Sequence, residues 1–257
     1  MADLDQLVRY LDAELRTHEV PDSDAALNGL QLANSGRVTR VAAAVDFSLQ
    51  TVTAAVREQA NLLVVHHGMF WRGAQALTGR AYDRVKAAIA GDLAVYSTHI
   101  PLDLHPTFGN NALLAKALGL TSSGTFGRYR DVEIGVQGTS DVDTAELVNR
   151  VRAFSAAFDT NAVATPFSPG RRTRRWAIIT GAGASPDVLA EARERSVDTL
   201  IVGEGTHHSA VEAIEHELVV VYGGHYATET LGVRALATHL AEQFRLTSVF
   251  VNVPTGL

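Results

Sequence analysis

The amino-acid sequence predicts an α/β fold in which strands and helices alternate along most of the chain. Short apolar runs rich in β-branched residues, such as LLVV at 62–65, are typical of strands that are buried on both faces. Segments with the period of an amphipathic helix separate these runs. The length of 257 residues is enough for one large or two small α/β domains, each with its own core.

The first half of the chain opens with a helix. Apolar residues at positions 4, 7, 8, 11 and 15 have helical spacing and do not resemble a signal peptide. Ser48 is placed to cap a helix that runs to about residue 60, and Gly91 to stop another. The expected order is a helix at 4–15, strands at 29–32 and 38–46, the Ser48 helix, the strand LLVV, a helix at 83–91, a strand at 93–98 and a helix at 110–119.

The second half repeats the alternation. Asp143 and Glu146 fit a capping box at the start of a helix. The Pro- and Gly-bearing stretch TPFSPGRRTRR at 165–175 indicates a hairpin or a loop. The other expected elements are strands at 130–138, 176–180, 199–205, 218–224 and 248–254, and helices at 185–196, 207–217 and from about 225 to 244.

Composition excludes several kinds of protein. The formal net charge of -6 gives no overall basic surface for nucleic acid. The sequence contains no Cys, which excludes a disulfide framework, a thiolate zinc site and a Cys nucleophile. No apolar run reaches the roughly 20 residues needed to cross a bilayer. We therefore expect a soluble cytoplasmic protein without a membrane partner, and any metal must be held by His and carboxylates.

Two strand ends carry the same short pattern of polar residues. AVYSTHIPLD resembles VVYGGHYATE, so that His99 aligns with His225 and Asp103 with Glu229, which suggests a faint internal duplication. A helix that begins near His225 places Glu229 one turn later on the same face. Pro101 argues against a helix after His99, so Asp103 is expected on a loop.

The run LLVVHHG ends in two adjacent imidazoles, His66 and His67. In a parallel or mixed sheet the ligand crevice lies at the carboxyl ends of the strands, where both His would sit. Neighbouring residues on a strand point to opposite faces, so two His that act together require the strand to have ended, which Gly68 permits. Otherwise His66 packs in the core and His67 is solvated.

The strand ends together offer five metal ligands. His66, His67, Asp103, His225 and Glu229 are nitrogen and oxygen donors that suit zinc, iron, manganese or nickel. Five donors exceed the three protein ligands of a catalytic zinc, and they serve two ions only where carboxylates bridge. Such a pair lies roughly 3.5–4 Å apart and can hold a hydroxide between the ions.

NGLQ at 28–31, VVHHGMFW, THIPLDLHPTFGNN and GGHYATE resemble, in that order, the motifs of the Nif-three-like dinuclear metal-centre family, whose members are also known as GTP cyclohydrolase I type 2 homologues. The resemblance runs from about Leu4 to Val253 and fits the short form of the family. It implies two interlocked α/β domains and a toroidal homohexamer. It also implies two divalent ions per subunit. The residues that match the ligands are His66, His67, Asp103, His225 and Glu229.

The domain boundaries follow from the alternation and from metal residues at both ends of the chain having to meet. We expect a first α/β domain of residues 1–124 with 223–257, which carries most of the ligands. The second α/β domain is expected at 125–222. The two are expected to have related topology, with mixed sheets flanked by helices.

Other polar residues have weaker claims to a role. His99 matches a recurrent family position that is not a standard ligand, so it either orients Asp103 or a carbonyl, or transfers protons. Glu204, His207 and His208 lie at one strand end and either face the same cavity or are solvated. The run Arg171–Arg175 is a phosphate site or a solvated strand edge. GAGASP at 181–186 is only weak evidence for a phosphate loop.

These observations leave two main functions. In the first, the protein is a metal-dependent hydrolase in which a bridging hydroxide attacks a small-molecule substrate, and the family's name suggests GTP ring opening. In the second, a hexameric ring stores, delivers or senses metal without catalysis. A nucleic-acid partner fits poorly with an acidic chain.

Overall fold

In the computed structural model, which describes residues 1–71, 73 and 75–257, the chain folds as two compact units. The first unit contains residues 1–102 and 232–253, and the second contains residues 103–231 and 254–257. Both units have strands in a central sheet with helices against it, so the predicted mixed α/β fold is confirmed. Within the described residues, no helix is both long and apolar enough to cross a membrane.

The first unit is built from most of the N-terminal elements. In chain order they are β1 (Ala2–Asp3), α1 (Leu4–Leu15), β2 (Gly29–Leu32), β3 (Arg37–Val38), β4 (Arg40–Asp46), α2 (Leu49–Arg57), β5 (Leu62–His67), α3 (Gly79–Ala90), β6 (Ala94–Ser97) and α4 (Ile100–Asp103), whose last residue belongs to the second unit.

The second unit and the end of the chain supply the remaining elements. These are α5 (Asn110–Ala117), β7 (Gly124–Tyr129), β8 (Val132–Asp143), α6 (Thr144–Ala156), β9 (Val163–Ala164), β10 (Arg172–Ile179), α7 (Pro186–Glu194), β11 (Thr199–Val202), α8 (His207–Glu215), β12 (Val219–Tyr222), α9 (His225–Thr228), α10 (Thr230–Phe244) and β13 (Thr247–Phe250). Most of α10 and all of β13 belong to the first unit.

The first unit has a five-stranded sheet in the order β13-β4-β5-β6-β2. Four strands are parallel, and only the edge strand β2 runs antiparallel. Every residue of β5 is buried, as expected for a central parallel strand. One core layer contains Ala42, Ala44, Leu63, Val65 and Val95 from alternate positions of β4, β5 and β6, which packs beside α2.

The second unit has a six-stranded sheet in the order β7-β8-β10-β11-β12-β9, with β10, β11 and β12 parallel. Trp176, Ile178, Ile201 and neighbouring residues on one face pack with residues of α5 and α6. Alternate residues of the same strands pack with α7 and α8 on the other face. Each unit therefore places three parallel strands at its centre, and their carboxyl ends are where the predicted ligands occur.

Several helix boundaries have the predicted local cause. The Ser48 side chain accepts a hydrogen bond from the Thr51 N–H at 3.1 Å and begins α2. The Asp143 carboxylate accepts hydrogen bonds from the Ala145 and Glu146 N–H groups, at 2.9 and 3.2 Å, and begins α6. These caps account for helix starts that were expected from single residues.

Three local expectations were wrong. Asp103 ends the short helix α4 rather than lying on a loop, because Pro101 falls in its first turn, where a missing N–H costs nothing. The expected long helix after residue 225 is divided at Glu229 into α9 and α10. The end of the stretch at 165–175, expected as a hairpin or a loop, lies in β10 from Arg172 onward. A further strand, β7, was not expected because GTFGRY lacks apolar alternation.

Candidate metal centre

Three imidazoles lie together in the first unit. His66, His67 and His99 each offer a ring nitrogen, and these atoms lie within 4.8 Å of one another. The ring centroids of His66 and His67 are 4.9 Å apart, as are those of His66 and His99. His66 is fully buried and His67 is 8 % exposed. Such a group of imidazoles away from solvent is suited to a transition-metal ion.

His66 and His67 are the last two residues of β5, so the strand does not end before them as predicted. Pairing between β5 and β6 stops at Val65 and Ser97, whereas pairing with β4 continues to Asp46 and His67. At His66 the ladder to β6 is replaced by other contacts, because its carbonyl accepts a hydrogen bond from the Ser97 side chain. Gly68 follows, and a Cβ there would overlap the Gln31 side chain.

Each of these imidazoles donates a hydrogen bond from Nδ1. The acceptors are the Thr98 carbonyl for His66, the Asp46 carboxylate for His67 and the Asp22 carboxylate for His99, each 2.9 Å away. With Nδ1 protonated, the neutral ring has its lone pair on Nε2. Partners of this kind fix the tautomer and orientation of metal-binding His residues.

Asp22 is held from several directions in the loop after α1. It accepts hydrogen bonds from the Asn28 side chain at 2.8 Å and from the Ile100 N–H at 3.0 Å, while Asn28 accepts one from the His99 N–H at 2.8 Å. Burial raises the pKa of Asp22, but the hydrogen bonds and the charge of His99 outweigh it and lower the pKa. Asp22 therefore stays ionised and keeps His99 in place.

The second unit also contains candidate ligands. The Nε2 atom of His225 lies 3.1 Å from Glu229 Oε2, and its Nδ1 donates to Glu204 at 3.0 Å. Two ligands bound to one ion at about 2.0–2.2 Å lie about 3 Å apart, so this spacing suits a shared ion. His225 and Glu229 therefore lie side by side, and Glu204 holds the other nitrogen of the His225 ring. That the two share an ion stays a prediction.

The pKa of His225 reflects these carboxylates. Burial alone lowers the pKa, but the hydrogen bonds and charges of Glu229 and Glu204 outweigh it and raise the pKa to about 10. An ion that binds at Nε2 must therefore displace a proton.

Gly181 makes room for the Glu229 carboxylate. The residue follows β10 with φ +63°, and a Cβ at this position would overlap Glu229 Oε1 and lie 3.4 Å from His225 Nε2. The motif GAGASP thus contains a glycine that allows the Glu229 carboxylate to approach the backbone closely. In the same motif, the Ser185 side chain caps α7 by accepting a hydrogen bond from the Val188 N–H. The weak phosphate-loop interpretation is not needed to explain it.

Asp103 lies at the end of α4, and its Oδ1 accepts a hydrogen bond from the Asn110 side chain at 2.8 Å. Asn110 is the first residue of α5 and is fully buried. The carboxylate is therefore oriented by a fixed amide.

The remaining candidates are engaged elsewhere or exposed. Arg171 donates to the Asp198 and Glu217 carbonyls, and Arg172 pairs with Asp141, so two of the four arginines of the run are bonded to neighbouring residues of the protein. His207 and His208 are exposed at the start of α8. These contacts favour the solvated-edge interpretation of the run.

The donor set fits a transition-metal ion. His66, His67 and His225 have Nδ1 engaged and so present Nε2, and two carboxylates, Asp103 and Glu229, offer oxygen. His99, whose Nδ1 is likewise engaged, lies beside His66 and His67. Sequence reasoning identified these donors but missed Asp22, Asp46 and Gly181. Among the residues that support the candidate ligands, only Gly181 and Asn28 lie in motifs that the sequence analysis noted. These motifs are GAGASP and NGLQ.

Two mixed sheets, in which parallel central strands are followed by imidazoles and carboxylates, define an α/β protein with a candidate metal centre. The chain belongs to the Duf34/NIF3 (NGG1p interacting factor 3) family, whose model matches residues 2–255.

Similar proteins match this chain along nearly its whole length. The chain is 41 % identical to a GTP cyclohydrolase 1 type 2 homolog of Deinococcus radiodurans, covering 98 % of this chain and 94 % of the relative. It is 42 % identical to the protein of the same name from Halobacterium salinarum, with 91 % and 92 % covered. The crystal structure of TTHA1606 from Thermus thermophilus superposes with a TM-score of 0.86 at 33 % identity, with both chains fully covered.

Asp46→Ala is expected to weaken metal affinity by about 10–100-fold, because His67 loses the acceptor that fixes its tautomer. Competition against a chromogenic chelator measures this directly. Asp83→Ala, which removes an exposed carboxylate from α3, is the matched control and should leave affinity unchanged. Equal affinities in the wild type and Asp46→Ala would contradict an orienting role.

Proposed function

We propose that the protein is a metal-dependent hydrolase that binds two divalent ions per subunit and acts on a small-molecule substrate. The proposed ligands are His66, His67, Asp103, His225 and Glu229. The observation that carries the proposal is the shared arrangement of the His residues, each of which donates from Nδ1 and so presents Nε2. That the residues of both units bind the same pair of ions stays a prediction of the sequence.

Divalent ions at these residues would act as Lewis acids, polarising the substrate and lowering the pKa of water toward about 7. Other residues of the chain orient these ligands and make room for them. Asp46 and Glu204 hold His67 and His225 in the ligand tautomer, and Gly181 leaves space for the Glu229 carboxylate. Burial of His66 and Glu229 keeps bulk water from two of the donors.

His99 is proposed to transfer a proton through Nε2. Its Nδ1–H is held by Asp22, and the side chain is 19 % exposed, which leaves it within reach of a bound molecule. An imidazole whose other nitrogen is fixed by a carboxylate is suited to this role near neutral pH.

His99→Ala is therefore expected to leave both ions in place and to slow turnover by about 10²–10⁴-fold. The measurement pairs metal content with kcat, and His216→Ala, at an exposed position, is the control. Loss of metal from His99→Ala would instead make His99 a ligand, in keeping with its place beside His66 and His67.

The deciding experiment is elemental analysis of protein purified without added metal, followed by a substrate screen with the native metal restored. The screen covers GTP, other nucleotides, phosphoesters and cyclic amides. Two ions per chain and turnover of any member support the proposal. Two ions without turnover across the panel would favour the alternative function, a metal-storing, delivering or sensing protein with the same ligands.

The assembly is proposed to be a homohexamer, as the resemblance implies. Light scattering at micromolar concentration should give six times the chain mass of 27.5 kDa. A monomer mass across ordinary salt concentrations would remove this part of the proposal.

A further inference from the structure

A cavity of about 540 Å³ opens beside His67 within the first unit. Its volume lies in the range of about 300–1,000 Å³ that is typical of small-molecule sites. The lining residues that matter for recognition are His67, Asp46, Ser48, Trp71, Arg80 and Arg84. Since His67 is a proposed ligand, a molecule in this cavity would have one end at the candidate metal centre.

The cavity wall formed by α3 is cationic. Arg80 and Arg84 are one turn apart on this helix, so both guanidinium groups reach the same face. Among the described residues that line the cavity, the single carboxylate, Asp46, already accepts a hydrogen bond from His67. The two guanidinium groups therefore face one carboxylate that is already hydrogen-bonded, and an anionic ligand would neutralise the excess positive charge.

Arg84 is held in place but keeps hydrogen-bonding capacity. Its guanidinium lies 5.8 Å from the centre of the Phe47 ring, and one terminal nitrogen donates to the Phe47 carbonyl at a long 3.5 Å. Within the described part of the chain, its buried Nε atom has no hydrogen-bond partner. A bound oxyanion would supply acceptors for the terminal nitrogens of a guanidinium that is already positioned.

The amino end of α2 adds to the positive electrostatic potential in the cavity. Ser48 caps the helix and lines the cavity together with Leu49, and the first turn contains no acidic residue. The partial positive charge at a helix amino end favours phosphate, and here it adds to two arginines.

An aromatic wall stands beside the cationic one. The Trp71 ring lies 4.6 Å from the His67 ring and 4.7 Å from the His99 ring, measured between centroids, yet Trp71 remains 39 % exposed. A large ring that is anchored on two imidazoles and still open to solvent is a surface on which a planar group can stack.

We propose that this cavity binds a phosphate-bearing aromatic molecule as the substrate, with the phosphate on Arg80 and Arg84 and the ring against Trp71. This proposal rests on the proposed function, because His67 then brings the substrate next to the ions. It narrows the substrate class to small aromatic phosphates.

The test is calorimetric titration of the full chain with phenyl phosphate, inorganic phosphate and phenol, before and after EDTA treatment. We expect phenyl phosphate to bind at least about ten-fold more tightly than either part. Arg80→Gln and Arg84→Gln should each weaken it by about ten-fold or more. Arg57→Gln, which removes an exposed guanidinium from α2, should have no effect.

Trp71 provides a second readout. The other tryptophan, Trp176, is fully buried in the second unit, so a ligand-induced fluorescence change that disappears in Trp71→Phe reports this cavity. Trp71→Phe should also weaken phenyl phosphate more than inorganic phosphate.

Two results would overturn the proposal: no binding of phenyl phosphate at millimolar concentration, or equal affinity in the wild type and the Arg80→Gln/Arg84→Gln double variant. Arginine-dependent binding that survives EDTA would support the cavity even if elemental analysis finds no ions. The failure of the proposed function is thus distinguishable from the failure of this inference.

Discussion

Glu229→Gln is expected to reduce the metal content from two ions to one and to abolish hydrolysis. The side chain is almost fully buried, and Oε2 lies 3.1 Å from His225 Nε2. Gln keeps the size of the side chain but removes the charge that a carboxylate needs to bridge two ions. Elemental analysis and turnover of the same preparation measure both effects.

The control is Glu215→Gln, which makes the same chemical change at an exposed position at the end of α8. It should retain two ions and full activity. Two ions in Glu229→Gln would show that the carboxylate is not a ligand, whereas intact metal with lost activity would place Glu229 in the chemistry alone.

Gly181→Ala is expected to remove metal from the site although it replaces none of the proposed ligands. The added Cβ would overlap Glu229 Oε1, so the carboxylate must move away from His225. Catalytic and metal sites tolerate displacements of only about 0.5 Å, so even a small movement should prevent binding. The expected result is loss of at least one ion, measured by elemental analysis of folded protein.

Gly170→Ala separates this effect from backbone strain. Gly170 has φ +75°, close to the +63° of Gly181, but a Cβ there meets nothing within 4 Å. Both variants should lose about 1–2 kcal/mol of unfolding free energy, because a residue with a Cβ is strained at positive φ. Only Gly181→Ala should lose metal. Equal metal content in the two would indicate that the carboxylate can shift without harm.

Much of the fold could be predicted because buried strands leave a strong pattern. Leu62–Val65 and Thr199–Val202 are apolar on both faces, and both are central parallel strands. The candidate ligands His66 and His225 could be located because each follows such a run, His66 directly and His225 after Gly223 and Gly224. By contrast, β7 has no comparable apolar run. The division of the helix after residue 225 at Glu229 could not be predicted either, because no proline or glycine lies at that position.

The orienting residues could not be predicted, since their role depends on contacts between distant parts of the chain. Asp22 holds His99 across 77 positions, and Asp46 holds His67 across 21. Both are ordinary acidic residues in their local sequence. Only the folded chain distinguishes them from the exposed carboxylates.

The four imidazoles are not equivalent. The carbonyl of Thr98 accepts from His66, whereas carboxylates accept from His67, His99 and His225. A carboxylate acceptor makes the opposite nitrogen more basic and a stronger donor. In the proposed two-ion centre, nitrogen donors of graded strength would give unequal binding constants, so a limiting supply of metal would fill the two positions one after the other. A half-loaded protein would then be a defined species that can be isolated.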